Sequence, residues 1–354
     1  MKRNSNLEML RIVAMLMIIA HHFTLKSGAL LETYGVNQII TIILYIGGKV
    51  GSNIFVIIGA YFLIDARSNI IRAIKIWGGT LFYSIAIGIP HIALTHNLEV
   101  EDIKLLFPVF GEEYWFSSCY ISLLMISPLL NALISNVKQE LYKYGVIILT
   151  VLVSVGPTIL PWKTENYINN LLWFIYLYLL IGYLKKYHFF LSIKRNRIIF
   201  WTSYCMIFIS VYIFMRWSVT RDNFDRIIMF ANEFSILVLA SSISLFCIFV
   251  LKESKWNKCI NEIAGTTFGI YLIHMHPMIK DSFWENIFKC SAWMESSFYA
   301  IFSIISIGLV FIGGFLIEET RKMICKWLGQ YMGLNKVVIQ YINDKCFNEN
   351  RKAG

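Results

Sequence analysis

Apolar residues in this chain come in long blocks, and the short stretches between them carry nearly all of the charge. Ten blocks of roughly 17–25 residues could each cross a hydrocarbon core of ~30 Å as a helix. They lie near 7–25, 39–64, 75–95, 114–134, 141–160, 168–184, 198–216, 227–251, 262–279 and 295–317. The pattern predicts an all-α, polytopic transmembrane helix bundle of about ten spans. The second block is interrupted by Gly47, Gly48, Lys49 and Gly51, so it is expected to begin with an interfacial or re-entrant piece.

Composition agrees. Of 354 residues, 57% are hydrophobic and 15% charged, where a soluble domain carries about 25% charged residues. The net charge of +10 is mostly a topology signal. With the N-terminus inside, 22 of the 32 lysines and arginines fall on inner segments and eight on outer ones. Positive charge collects on the cytoplasmic side, so both termini are expected inside, in the cell membrane. The basic residues are scattered among spans rather than gathered on one face, so no nucleic-acid partner is expected. Seven cysteines without a C-x-x-C or Cys/His spacing read as small apolar fillers, and no metal site is expected. The tail 326–354 is polar and amphipathic, suited to the inner membrane surface.

A titratable group inside a span is costly and is a functional candidate by default. In "LRIVAMLMIIAHHF", Arg11 and His22 are eleven residues apart. At 100° per residue that leaves them about 20° apart on one face and roughly 16 Å apart along the axis. His21 falls about 80° off that line. The face suits a shaft, with a cation at the entrance and an imidazole at depth. Two plainer roles compete: Arg11 reaching back to the headgroups with Glu8 as a local partner, and a histidine that merely packs. In the ninth block, Thr267, Tyr271 and His274 share a face, either as interhelical glue or as site lining. His274 is expected at the depth of His22, and His276, before Pro277, at the interface. Arg72 and Lys75, with Arg67 nearby, lie on an inner turn. They fit ligand phosphates, although on charge alone membrane anchoring, which needs no ligand, explains them better. Trp115 and Tyr120 stand at the start of the fourth block, where aromatic residues serve as a membrane belt or as platforms for sugar rings.

Several of these pieces, in order, resemble the acyltransferase-3 family of integral membrane acyltransferases. "LRIVAMLMIIAHH" is similar to its first helix, with Arg11 and His22 on the R-x10-H pairing. "VGSNIFVIIGAYFLI" resembles its second span, with Gly51, Asn53, Phe55, Gly59 and Tyr61 in register and Ile58 where serine is usual. The inner-loop R-x-x-R is matched by Arg72 and Lys75; lysine keeps the charge and loses the bidentate fork. "YWFSSCYISLLMISPLLN" and "FGIYLIHMHP" resemble blocks of members tied to surface and capsular polysaccharides. The likeness implies an acyltransferase-3-like domain over about 1–325. It implies transfer of an acyl group, usually acetyl from acetyl-CoA, to a sugar hydroxyl of an envelope glycan or its lipid-linked precursor. His22 would then act as general base or transient acyl carrier beside Arg11. Arg72, Lys75 and Arg67 would hold the CoA phosphates, and Tyr271, His274, Trp115, Tyr120 and Asn53 would face the acceptor. Partners expected are membrane lipids, acyl-CoA and the glycan acceptor, with a homo-oligomer left open. A flippase for a lipid-linked intermediate, or an accessory subunit of a polysaccharide synthase, are the alternatives from other classes.

Overall fold

The computed structural model describes residues 4–64, 66, 70–95, 108–109, 114–159, 170–217 and 227–331. Among the described residues every regular element is helical. The order is α1 (Ser5–Lys26), the single turn α2 (Ala29–Glu32), α3 (Gly35–Leu63), α4 (Ile70–Thr95), α5 (Trp115–Asn136), α6 (Gln139–Thr150), α7 (Gly156–Ile159), α8 (Asn170–Lys186), α9 (Ile193–Trp217), α10 (Ile236–Val250), α11 (Lys258–Ala264), α12 (Thr267–His274), α13 (Phe283–Phe288) and α14 (Tyr299–Tyr331). Among the described residues eight stretches are long and apolar enough to cross a membrane. They are α1, α3, α4, α5, α6 running on into α7, α9, α10 with the turn before it, and α14. The chain is a polytopic helical membrane protein.

The sixth expected span is α8, a helix of 17 residues. One expected span takes another form. The ninth, 262–279, is not one helix: it divides into α11 and α12 at Gly265–Thr266 and leaves the helix after His274, three residues before Pro277. Proline disfavours the helical conformation in the residue before it and cannot donate to a preceding carbonyl.

The centre of the bundle is α3, with 72% of its most apolar window buried, against 17% for the peripheral α9. The expected re-entrant start is absent: α3 is a single helix of 29 residues. Its glycines Gly47, Gly48 and Gly51 face α1 and permit close approach, the small-residue packing that membrane helices use. A methyl group on Gly51 would press on the Ala14 carbonyl, and one on Gly48 would run into the His21 side chain. His21 turns this contact into a tie, because its Nδ1–H donates to the Tyr45 carbonyl at 2.8 Å and its ring stacks on Tyr45 at 4.6 Å.

Breaks in backbone bonding are covered locally. Pro128 lies inside α5 and leaves the Leu124 carbonyl without its usual donor; the Ser127 hydroxyl donates to it at 2.7 Å. Just before Pro157 the helix widens into a π turn, Val151–Val155, as helices do where a proline removes a donor. This turn carries Ser154 against the bend before α10, where its hydroxyl donates to the Phe234 carbonyl at 2.7 Å.

Candidate functional site

On α1, Arg11, Met15, Ile18 and His22 follow at intervals of four, three and four residues, so they form one stripe. The last three line a cleft with about 410 Å³ of empty space, open solvent included. Its other walls repeat the same logic. Ser52 and Phe55 come from one face of α3; Trp115 and Phe116 come from the first turn of α5; Phe268 and Tyr271, with Met275 just past the end, come from α12. The lining is mostly apolar with a few polar groups, as ligand sites usually are.

At the end of the cleft stands a histidine pair: His22 Nδ1 lies 3.0 Å from His274 Nε2. The register follows from the other end. The Ser5 hydroxyl accepts from the Asn257 backbone N–H at 2.7 Å, and each histidine lies seventeen residues further along its strand of chain. The α11–α12 segment thus climbs beside α1 and meets it again at the pair. The hydrogen bonds fix the tautomers. His274 Nδ1 is 2.6 Å from the Ile270 carbonyl, which can only accept, so His274 Nδ1 carries a proton. In a neutral ring Nε2 is then the acceptor, and His22 Nδ1–H donates to it. His22 Nε2 is left with the lone pair, on a side chain that lines the cleft.

Arg11 is at the other end of the stripe. Its Nη1 lies 2.8 Å from Glu8 Oε2, with 23% of the arginine and 5% of the glutamate side chain exposed. The local pair with Glu8 therefore forms. Tyr120, on α5, packs against Phe116 and against α3. Its ring lies parallel to Phe116 with centroids 6.1 Å apart, and Gly59 leaves the room its hydroxyl occupies. The charges of both Arg11 and Arg72 reach it. Arg72 and Lys75 are exposed on the first turns of α4; Arg67 lies outside the described residues.

The structure thus places His22, Tyr271 and Trp115 on one cleft, with His274 bonded to His22 and Tyr120 packed on Phe116; Arg11 lies further along the same stripe of α1. Asn53 is elsewhere. Its Oδ1 accepts from the Trp173 indole at 2.8 Å and its Nδ2 donates to the Glu233 carbonyl at 3.1 Å, tying α3 to α8 and to the bend before α10. His276, expected at the interface, is fully buried. Its Nε2 donates to the Ser84 carbonyl at 3.3 Å while Nδ1 accepts from the Met278 N–H at 3.3 Å. Sequence reasoning missed Met15, Ile18, Phe268 and Met275 as lining, although they share the stripes of His22 and Tyr271. It also missed two intramembrane ion pairs, Lys49–Glu233 at 2.9 Å and Arg321–Glu318 at 2.6 Å, the latter with the Tyr83 hydroxyl donating to Glu318 at 2.6 Å. Among the described residues no cluster of three His, Cys, Asp or Glu side chains could hold a metal ion.

A base with a fixed lone pair at the head of an apolar cleft, in a bundle of membrane helices, defines a class of site suited to proton transfer away from bulk water. The family model described as an acyltransferase domain matches residues 4–315, and the chain belongs to that acyltransferase-3 family of membrane acyltransferases. Comparison with curated proteins gives no match, and comparison with solved structures gives none.

Proposed function

We propose that the protein moves an acetyl group from cytoplasmic acetyl-CoA to a sugar hydroxyl of an envelope polysaccharide or its lipid-linked precursor, in the cell membrane with the Arg11 end inside. The observation that carries this reading is the His22–His274 bond, which leaves His22 Nε2 free to take a proton at the cleft. In the reaction, Nε2 accepts the proton of the acceptor hydroxyl as its oxygen attacks the thioester carbonyl. The C–S bond of the tetrahedral adduct then breaks, and the CoA sulfur leaves with the proton held on His22. In the covalent variant, Nε2 itself attacks the thioester carbonyl and expels the CoA thiolate; the sugar oxygen then displaces Nε2 from the acetyl carbon, and the freed Nε2 takes the hydroxyl proton. Arg72, Lys75 and Arg11 supply positive charge for the phosphates of CoA, and Tyr271 and Trp115 supply a hydroxyl and a flat apolar face for the acceptor.

The test is release of free CoA from acetyl-CoA by purified protein, scored beside acetate on the host's surface glycan. His22→Ala is expected to lower both by at least about 100-fold, the usual contribution of a positioned acid–base group. The control is His21→Gln, whose side-chain amide can still donate to the Tyr45 carbonyl; it is expected to retain both activities. CoA release by His22→Ala at the wild-type rate would end the reading. A flippase would show no CoA release even as wild type.

A further inference from the structure

Lys49 and Glu233 form an ion pair well inside the bundle. Lys49 lies fourteen residues before the end of α3, about 21 Å from the Arg11 end at 1.5 Å per residue, and His22 stands at about 25 Å by the same measure. The pair is not sealed in protein, since 26% of the lysine and 13% of the glutamate side chain are exposed. Glu233 moreover sits on non-helical backbone, the bend between a 3-10 turn (Met229–Ala231) and α10. Irregular backbone and a charged pair at that depth are tolerated where they line a water-filled space, not where they meet lipid tails.

The bend is held from several sides. Asn53 donates to the Glu233 carbonyl, Ser154 to the Phe234 carbonyl, and the Ile236 N–H donates to the Thr158 hydroxyl at 3.0 Å. Within the bend the Phe234 N–H donates to Asn232 Oδ1 at 3.2 Å. Four such bonds fix where the carboxylate stands. The location adjoins the cleft: Lys49 is one turn along α3 from Tyr45, which holds His21, and three residues from Ser52, which lines the cleft. The Lys49 charge reaches His22.

We propose that Lys49 and Glu233 form an acceptor subsite that takes the neighbouring hydroxyls of a sugar and presents one of them to His22. A carboxylate accepts O–H bonds, an ammonium donates to hydroxyl or ring oxygens, and both form strong charge-assisted bonds. The opposed charges suit a neutral polyol, since a lone cation would select a phosphate instead. This rests on the function proposed above.

The test separates pairing from recognition. The double variant Lys49→Glu with Glu233→Lys restores an ion pair but reverses the donors and acceptors. Purified wild type and variant are titrated with acetyl-CoA, and separately with a lipid-linked glycan extract of the host membrane, following CoA release. The expected result is a rise of tenfold or more in the half-saturating extract concentration, with that for acetyl-CoA within twofold and the melting temperature in detergent unchanged. A swap that matches wild type in both titrations overturns the subsite and makes the pair a staple between α3 and the bend. If the swap does not fold, Glu233→Gln decides by the same two titrations, with the same results supporting or overturning. Wild type that releases no CoA overturns the enzymatic reading instead, and the subsite with it.

Discussion

At the scale of single residues, the account rests on which nitrogen of His22 is free. His21 and His22 are chemically identical neighbours, but the 100° between them sends His21 into the α1–α3 contact and His22 to the cleft. His21 is saturated by the Tyr45 carbonyl. His22 gives its Nδ1 proton to His274, which is itself anchored on the Ile270 carbonyl. A chain of this kind orients the ring, fixes the tautomer and shares the charge that develops as Nε2 takes a proton, the role the aspartate plays in a serine-protease triad. In the proposed reaction His274 positions His22 and acts through it, where the sequence suggested an acceptor contact. Residues that act as a unit give non-additive kinetic losses, and this property makes the pair testable.

At the scale of elements, the site depends on how closely α1 lies against α3. Gly48 and Gly51 bring the helices together, and the packing places His22 and Ser52 on adjoining walls of the cleft. Gly48→Ala is expected to cost about 1–3 kcal/mol, the usual range for over-packing a tight core, because the added methyl falls on the His21 side chain. Thermal unfolding in detergent is the measurement, with Gly78→Ala as control, since a methyl there meets nothing within 4 Å. Equal melting temperatures for the two variants would show that α1 can withdraw from α3 without loss.

At the scale of the whole molecule, orientation decides which side delivers the donor. With the Arg11 end inside, Cys259, exposed on α11 beside the start of α1, faces the cytoplasm. In a background where Cys259 is the sole cysteine, a membrane-impermeant maleimide is expected to label inverted vesicles and to spare intact cells; the opposite pattern would reverse the topology. The polytopic helical bundle was legible in the sequence, because the length of an apolar block is a property of the chain that packing does not alter. The stripe from Arg11 to His22 was legible for the same reason, since helical period alone defines it. Asn53 was not, because its amide serves Trp173, 120 residues away, and no local pattern marks so distant a partner. The continuity of α3 through its glycines was hidden too. Glycine weakens an isolated helix, and only the facing helix turns the missing side chains into close packing. Lys49 and Glu233 were hidden because they are 184 residues apart, and each alone reads as a stray charge.

The most direct test of the central claim is a double-mutant cycle on CoA release with His22→Ala, His274→Ala and the pair. The account predicts that His274→Ala alone slows the reaction by at least about tenfold, and that the double variant is no slower than His22→Ala, because the second histidine acts only through the first. Losses that multiply would contradict it and make His274 an independent participant in the chemistry.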